Sequence, residues 1–268
     1  MTSTDAPDGP ADLLIRPAHD EDAAPLADLF LAAREAAYPA MPASVHPPHE
    51  VRHWFREVLG LEERTIPMPE EREVWVAEAD GMILGYAVLD PEWLDSLYVR
   101  PDLTGRGIGS ALLDLVKGLR PGGFGLWVFA TNVAAQRFYA RHGLVPVRRT
   151  DGSDNEERAP DVEMLWPGPD PLGAVRRRID DVDDRLADLL DERALLTAAA
   201  QRLKSVSGHA GRDPDREAQI VARMAVRAPD LGEEALAQIM HTVISASLDA
   251  VRAHGEPADG EPGDPSDR

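Results

Sequence analysis

The sequence predicts two domains in tandem, an α+β domain built on one sheet at residues 13–167 and an all-helical domain at residues 172–254. Three observations predict this. A chain of 268 residues is long for one hydrophobic core, which usually serves roughly 100 to 200 residues. Up to Trp166 short apolar runs alternate with helical patterns, whereas after Pro171 every apolar residue falls at helical spacing. Between the two lies PGPDP, Pro167 to Pro171, whose prolines and glycine break both patterns, so residues 168–171 are expected to be a linker.

Residues 1–12 and 255–268 are rich in Pro, Gly, Asp and Glu with little to bury, and both are expected to be disordered tails. Leu13 to Arg16 reads as a strand. Asp20 to Ala37 reads as a helix whose acidic start suits the positive end of its dipole. Val74 to Ala77 and Met82 to Leu89 read as a hairpin whose connection contains Asp80-Gly81. Trp93 to Val99, Gly125 to Phe129, Val145 to Arg149 and Asp161 to Trp166 supply further strands, with helices at Gly107 to Leu119 and Asn132 to His142. In the second domain Leu172, Val175, Ile179, Val182, Leu186, Leu189, Leu196, Ala200 and Leu203 mark one face of a long helix. Asp213 is a suitable N-cap and Pro214 a suitable first residue for a second helix ending near Arg227. A third runs from Leu231 to about Arg252.

Composition narrows the function. A net charge of −20 repels phosphate backbones and anionic lipid surfaces, so neither nucleic acid nor a membrane is an expected partner. The absence of cysteine excludes disulfides, thiolate metal sites, Fe–S clusters and a cysteine nucleophile, and a reducing cytoplasm is the expected home. The N-terminus has no basic region followed by an apolar stretch, and no segment reaches the roughly 18 apolar residues of a membrane helix. His46, His49 and His53 cluster in VHPPHEVRHWF without the spacing of a metal motif, so no metal is expected, and they are expected to line the acceptor side of the cleft or to lie on the surface.

The densest chemical signal is LYVRPDLTGRGIGSALL, a strand ending at Val99, a loop, then Gly105-Arg106-Gly107-Ile108-Gly109 opening a helix. Glycines at a helix start let backbone N–H groups approach an anion, and the dipole favours negative charge there, so a pyrophosphate fits. The third glycine and downstream acid of a dinucleotide fingerprint are missing, as is the Gly-Lys-Ser/Thr of a P-loop. A second signal, Asn132-Val-Ala-Ala135-Gln-Arg-Phe138-Tyr139-Ala-Arg-His-Gly143-Leu144, follows directly after a strand.

Together the two signals resemble the GNAT acetyltransferase superfamily over about Leu13 to Trp166. The resemblance implies a mixed central sheet flanked by helices, acetyl-CoA as donor and an amine as acceptor. It implies that the amides of Gly105, Arg106, Gly107 and Gly109 hold the CoA pyrophosphate. Leu97, Val99, Thr104, Ser110 and Asn132 are then further cofactor contacts, and Tyr139 protonates the departing thiolate. Thr104 stands where the family usually has Gln or Arg, which favours, as an alternative, a CoA-sensing domain. Asp95, or Glu92 before the strand, is the candidate base. The fusion itself points to an aromatic amine or amino acid as the acceptor.

In the helical domain the missing step in the apolar seam is Arg193, and a buried guanidinium must meet an anion. Lys204 is three turns further on, about 16 Å away on the same face. The set Arg176, Arg193, Lys204, Asp213, Arg216 and Glu217 resembles the all-helical, type II chorismate mutases over residues 171–254. That resemblance implies that Arg176 and Arg193 hold the carboxylates of chorismate, Lys204 its ether oxygen, and Glu217 its ring hydroxyl. Asp213 and Arg216 complete the pocket. The reaction implied is the pericyclic conversion to prephenate, with a 4-amino analogue of chorismate open as substrate. Arg176 is about 25 Å from Arg193 along one helix, so it is expected from a second protomer of an intertwined homodimer. The family's helper of the lysine falls on Val251, and Ser247 one turn earlier is the nearest substitute. Val251 also favours the alternative, a chorismate-binding or dimerising regulatory domain.

Overall fold

A computed structural model describes residues 12–65, 67–207 and 212–255, apart from the side chains of 204–207, 254 and 255. The expected tails therefore lie outside the described residues, save Asp12 and Gly255. The chain divides into two compact units, Met1–Arg176 and Arg177–Arg268, and the division falls within a helix rather than at residues 168–171.

The first unit opens with β1 (Leu14–Pro17), a 3-10 turn at Asp20–Asp22 and α1 (Ala23–Ala37). Next come α2 (Pro48–Val58), β2 (Glu73–Ala79), β3 (Met82–Leu89) and β4 (Leu94–Val99). The unit continues with α3 (Ile108–Leu119), β5 (Phe124–Phe129), α4 (Val133–Arg141), β6 (Val145–Thr150) and β7 (Asp161–Trp166). The hairpin connection is tighter than expected: β2 runs to Ala79 past a bulge at Ala77/Glu78, leaving Asp80 and Gly81 as the turn. Both have positive φ, 50° and 73°, as the turn that matches strand twist requires. α2 is not expected from the sequence, where two prolines and three histidines obscure its pattern. Pro48 occupies the first turn, where a missing N–H costs nothing, and Val51, Phe55 and Val58 bury one face.

Strands β2 and β3 alternate as a period of two requires. Val74, Val76, Tyr86 and Val88 face α1 and α2, whereas Ala77, Ala79, Ala87 and Leu89 face the core that α3 completes. The one sheet expected is in fact two, both antiparallel, in the orders β1-β2-β3-β4 and β5-β7-β6. They meet at a single parallel bridge, Trp93 to Gly125, reinforced by the Gly125 N–H donating to the Glu92 carbonyl at 2.9 Å. The indole of Trp93 lies on Gly125, where an added Cβ would meet it at 2.8 Å, and stacks on Trp127 at 6.2 Å. These rings fill the junction, and no further bridge joins β4 to β5 among the described residues.

The second unit contains most of α5 (Pro171–Ser207), then α6 (Pro214–Arg227) and α7 (Gly232–Gly255). The Asp213 carboxylate accepts the Arg216 N–H at 3.0 Å and caps α6. Val221, Leu236, Met240 and Ile244 form the core between α6 and α7. α5 leaves its apolar face bare: Leu186, Leu189, Leu196 and Leu203 are 50 to 75% exposed. Among the described residues no helix is long and apolar enough to cross a membrane.

Candidate active sites

Where β4 and β5 stop pairing, a cavity of about 590 Å³ opens. β4 contributes Leu94 to Tyr98 and β5 contributes Leu126 to Phe129, and α4 with its N-cap adds Asn132, Ala135 and Tyr139. Strands that diverge leave backbone N–H and C=O groups without sheet partners, able to pair with an extended amide-containing ligand.

Tyr139 is 8% exposed and lines this cavity. Burial pushes its pKa up, helped by the nearby Tyr98. The phenol therefore stays protonated and serves as a donor. Asp95 lines the same cavity with its side chain 34% exposed. Desolvation raises its pKa and Asp90 adds to the rise, against the pull of Arg72 at 3.3 Å and the Ser96 hydroxyl at 2.8 Å. Arg72 is itself held by a bidentate pair with Asp90, at 2.7 and 2.8 Å. The alternative base, Glu92, does not line the cavity.

Gly105 and Gly107 adopt φ of 81° and 82°, a conformation in which a side chain would be strained. Gly107 occupies the N-cap of α3 without a side chain, so the first N–H groups of the helix keep no local acceptor. Gly109 lets Phe138 and Val99 approach, at 3.5 and 3.6 Å from where a Cβ would sit. The Arg106 N–H turns back to Leu103 O at 3.4 Å, and Thr104 donates to Pro101 O at 3.1 Å, so both help fold the loop. The Ser110 hydroxyl meets His142 Nε2 at 3.0 Å and ties α3 to α4. Asn132 caps α4 through its side-chain oxygen, at 3.1 Å from the Ala135 N–H.

Arg34, which the sequence did not single out, and His46, which it did, also line the cavity. Arg34, 9% exposed on the buried face of α1, pairs with Glu157 at 2.7 Å and packs over Phe30 and Phe129. His46 bridges Glu50 of α2 at 2.9 Å and Glu156 of the β6–β7 segment at 2.7 Å, and these carboxylates hold its pKa above the ordinary value. The signal available in the sequence was Arg34 among the apolar positions of α1. His53 pairs with Glu57 and Glu62, and no cluster of metal ligands occurs among the described residues.

In the helical unit, Arg193 donates to Ser247 Oγ at 2.9 Å, and Ser247 is buried and donates in turn to Val243 O at 2.7 Å. Glu217 is gripped by Arg212 in a bidentate pair at 2.8 and 2.6 Å, which holds its carboxyl below the ordinary range. Arg212 also reaches Ser245 and His241, both at 3.0 Å. Ser245 and Ser247 lie about 200° apart around α7, so the single protomer brings Ser247 to Arg193 but places Glu217 at the other face. Arg176 and Arg216 are exposed. The side chain of Lys204 lies outside the described residues. The sequence reading did not single out Arg212, although it adjoins the capping Asp213.

Two family models match the chain: an acetyltransferase (GNAT) domain over residues 70–145 and chorismate mutase type II over residues 175–251. The Peptidyl-lysine N-acetyltransferase YjaB of Salmonella typhimurium is 31% identical over 113 residues, spanning 40% of this chain and 74% of that protein. The Peptidyl-lysine N-acetyltransferase YiaC of Escherichia coli is 33% identical over 94 residues, 35% of this chain and 62% of that protein. A solved structure of apo YjaB from Escherichia coli aligns with a TM-score of 0.47 at 22% identity, covering 59% of this chain and 99% of that one. The chain belongs to the GNAT acetyltransferase family and carries, after that domain, a type II chorismate mutase domain.

Proposed function

We propose that the protein is bifunctional, with acetyl transfer from acetyl-CoA to an amine in residues 13–167 and rearrangement of chorismate to prephenate in residues 172–254. The observation that carries the first activity is the joint placement of Tyr139 and Asp95 on one cavity between separated strands, in a unit whose α3 opens with bare N–H groups. Such a helix start suits the pyrophosphate of acetyl-CoA. The amine enters as an ammonium and gives one proton to Asp95, directly or through water. Its nitrogen lone pair then attacks the thioester carbonyl carbon. As the C–S bond breaks, the sulfur takes the Tyr139 proton, and the second nitrogen proton restores the phenol. Asp95, which burial makes more basic than an ordinary aspartate, suits the first step. Two relatives are named for peptidyl-lysine acetylation, which agrees with an amine acceptor.

For the second activity the supporting observation is Arg193 anchored on Ser247, with Glu217 preset as a carboxylate by Arg212. The bare apolar face of α5 supports assembly with a second copy, which supplies Arg176 and brings the remaining groups together. Catalysis is then electrostatic, with Lys204 opposing the charge that grows on the ether oxygen as the C–O bond breaks. A regulatory helical domain is the second reading, favoured by valine at position 251. The test is loss of chorismate and appearance of prephenate with the full-length protein. Each charge-assisted contact contributes about 1.5 to 3 kcal/mol, so Arg193→Ala is expected to lower kcat/KM by at least about tenfold. A wild-type protein that binds chorismate without turnover would establish the regulatory reading.

A further inference from the structure

Part of the cavity lining has no role in the donor reading. Its walls are aromatic: Phe30 and Phe55 are 6.3 Å apart, Trp54 and Phe55 4.8 Å, and Phe129 lines the β5 side. Its charges are unevenly matched. Arg34 is paired with Glu157 and Arg72 with Asp90 and Asp95, while Glu50 and Glu156 share the single imidazole of His46. The surplus is negative, and it adjoins the rings. The segments that carry these residues are also tied together. Arg34 joins Pro42 O at 3.0 Å to Glu157, His46 joins α2 to Glu156, and Thr131 donates to Ala40 O at 2.8 Å. Those ties hold the segments after α1 and between β6 and β7 against the cavity lining, and a polypeptide acceptor has to pass them.

Resting on the acetyl-transfer reading, we infer that the acceptor is a small primary amine with an aromatic or apolar body and no carboxylate, bound as its ammonium. An ammonium is attracted both to ring faces and to Glu50 and Glu156. An amino acid brings a carboxylate to the same acids, and a lysine side chain of a folded protein must bring its backbone past the tied segments. A long polyamine matches the charge but leaves the rings uncovered.

The experiment follows thiol release from saturating acetyl-CoA by the full-length protein with tyramine, spermidine, a capped lysyl tripeptide and glutamate. Binding of each to the CoA-loaded protein is titrated by calorimetry. Tyramine is expected to exceed spermidine and the peptide at least tenfold in kcat/KM, with glutamate inert. The exposed pair Glu50→Gln/Glu156→Gln is expected to raise the KM for tyramine at least threefold and leave that for acetyl-CoA unchanged. Turnover of the peptide or glutamate equal to that of tyramine would overturn the inference and leave acetyl transfer standing. Selective binding of tyramine without turnover of any amine would support the same chemical class as the cavity's ligand and remove the transfer reading. Failure of tyramine to bind would overturn the inference outright.

Discussion

Asp95 sits between two opposing influences, a desolvating cavity wall and the Arg72 guanidinium, and the first prevails. A carboxylate whose pKa is raised is fully ionised only above that raised value, so a base role fails as the pH falls through it. The acid limb of kcat/KM for acetyl transfer is therefore expected above the ordinary aspartate value near 3.9. Asp95→Asn should abolish that limb and lower kcat about 100-fold or more, the usual worth of a positioned base. A pH–rate profile of both proteins checks it. Tyr139→Phe should lower kcat by about tenfold or more at unchanged KM for acetyl-CoA, measured by the same thiol release. The sequence pointed to Asp95 and Tyr139, one on a strand beside the glycine loop and the other inside the Asn132 motif, and both line the cavity. The sequence did not point to Arg34 or Arg212, since each gains its role from a carboxylate that the fold supplies, Glu157 from a distant segment and Glu217 through side-chain geometry. His46, by contrast, was expected at the acceptor side of the cleft or on the surface, and it lines the cavity while bound to Glu156.

Elements follow local rules where the rules act alone. The turn at Asp80-Gly81, the N-cap at Asp213 and the glycines opening α3 are each dictated by backbone sterics or an orphan N–H group. Gly107→Ala, at φ 82°, is expected to cost about 1 kcal/mol of stability and to weaken acetyl-CoA binding, which thermal unfolding and calorimetry measure. α2 escaped the sequence reading because histidines and prolines occupy its solvent side, whereas three apolar residues carry its packing. His46 also makes the loop contact pH-dependent. Its pKa is raised by Glu50 and Glu156, so the contact is fully present below the ordinary histidine value and lost as the pH rises through the higher folded value. Exposed pairs contribute about 0.2 to 1 kcal/mol, so amide exchange in residues 151–160 should quicken by up to about fivefold across that window, beyond the intrinsic base-catalysed rise. His46→Gln removes the difference.

For the whole molecule the decisive feature is the apolar face that α5 keeps exposed. Leu186 and Leu196 at 50 and 62% exposure have surface to bury in a second copy, at roughly 1.5 to 3 kcal/mol per fully buried leucine. Leu186→Glu/Leu196→Glu is expected to convert a dimer into monomer in analytical ultracentrifugation. Acetyl transfer should survive in that variant while chorismate turnover is lost. A wild-type chain that sediments as a monomer at micromolar concentration would refute the shared site.

By itself the sequence determined the two domains, the order of nearly all their elements and the identity of both families, because periodicity, turn chemistry and glycine placement act over a few residues. Tertiary structure alone decided that the expected sheet is two sheets meeting at Trp93 and Gly125, that one cavity takes in both Asp95 and Tyr139, and that its lining also brings together acidic and aromatic side chains. Those properties depend on contacts between segments as far apart as Arg34 and Glu157, and no local pattern encodes the distance at which such residues meet.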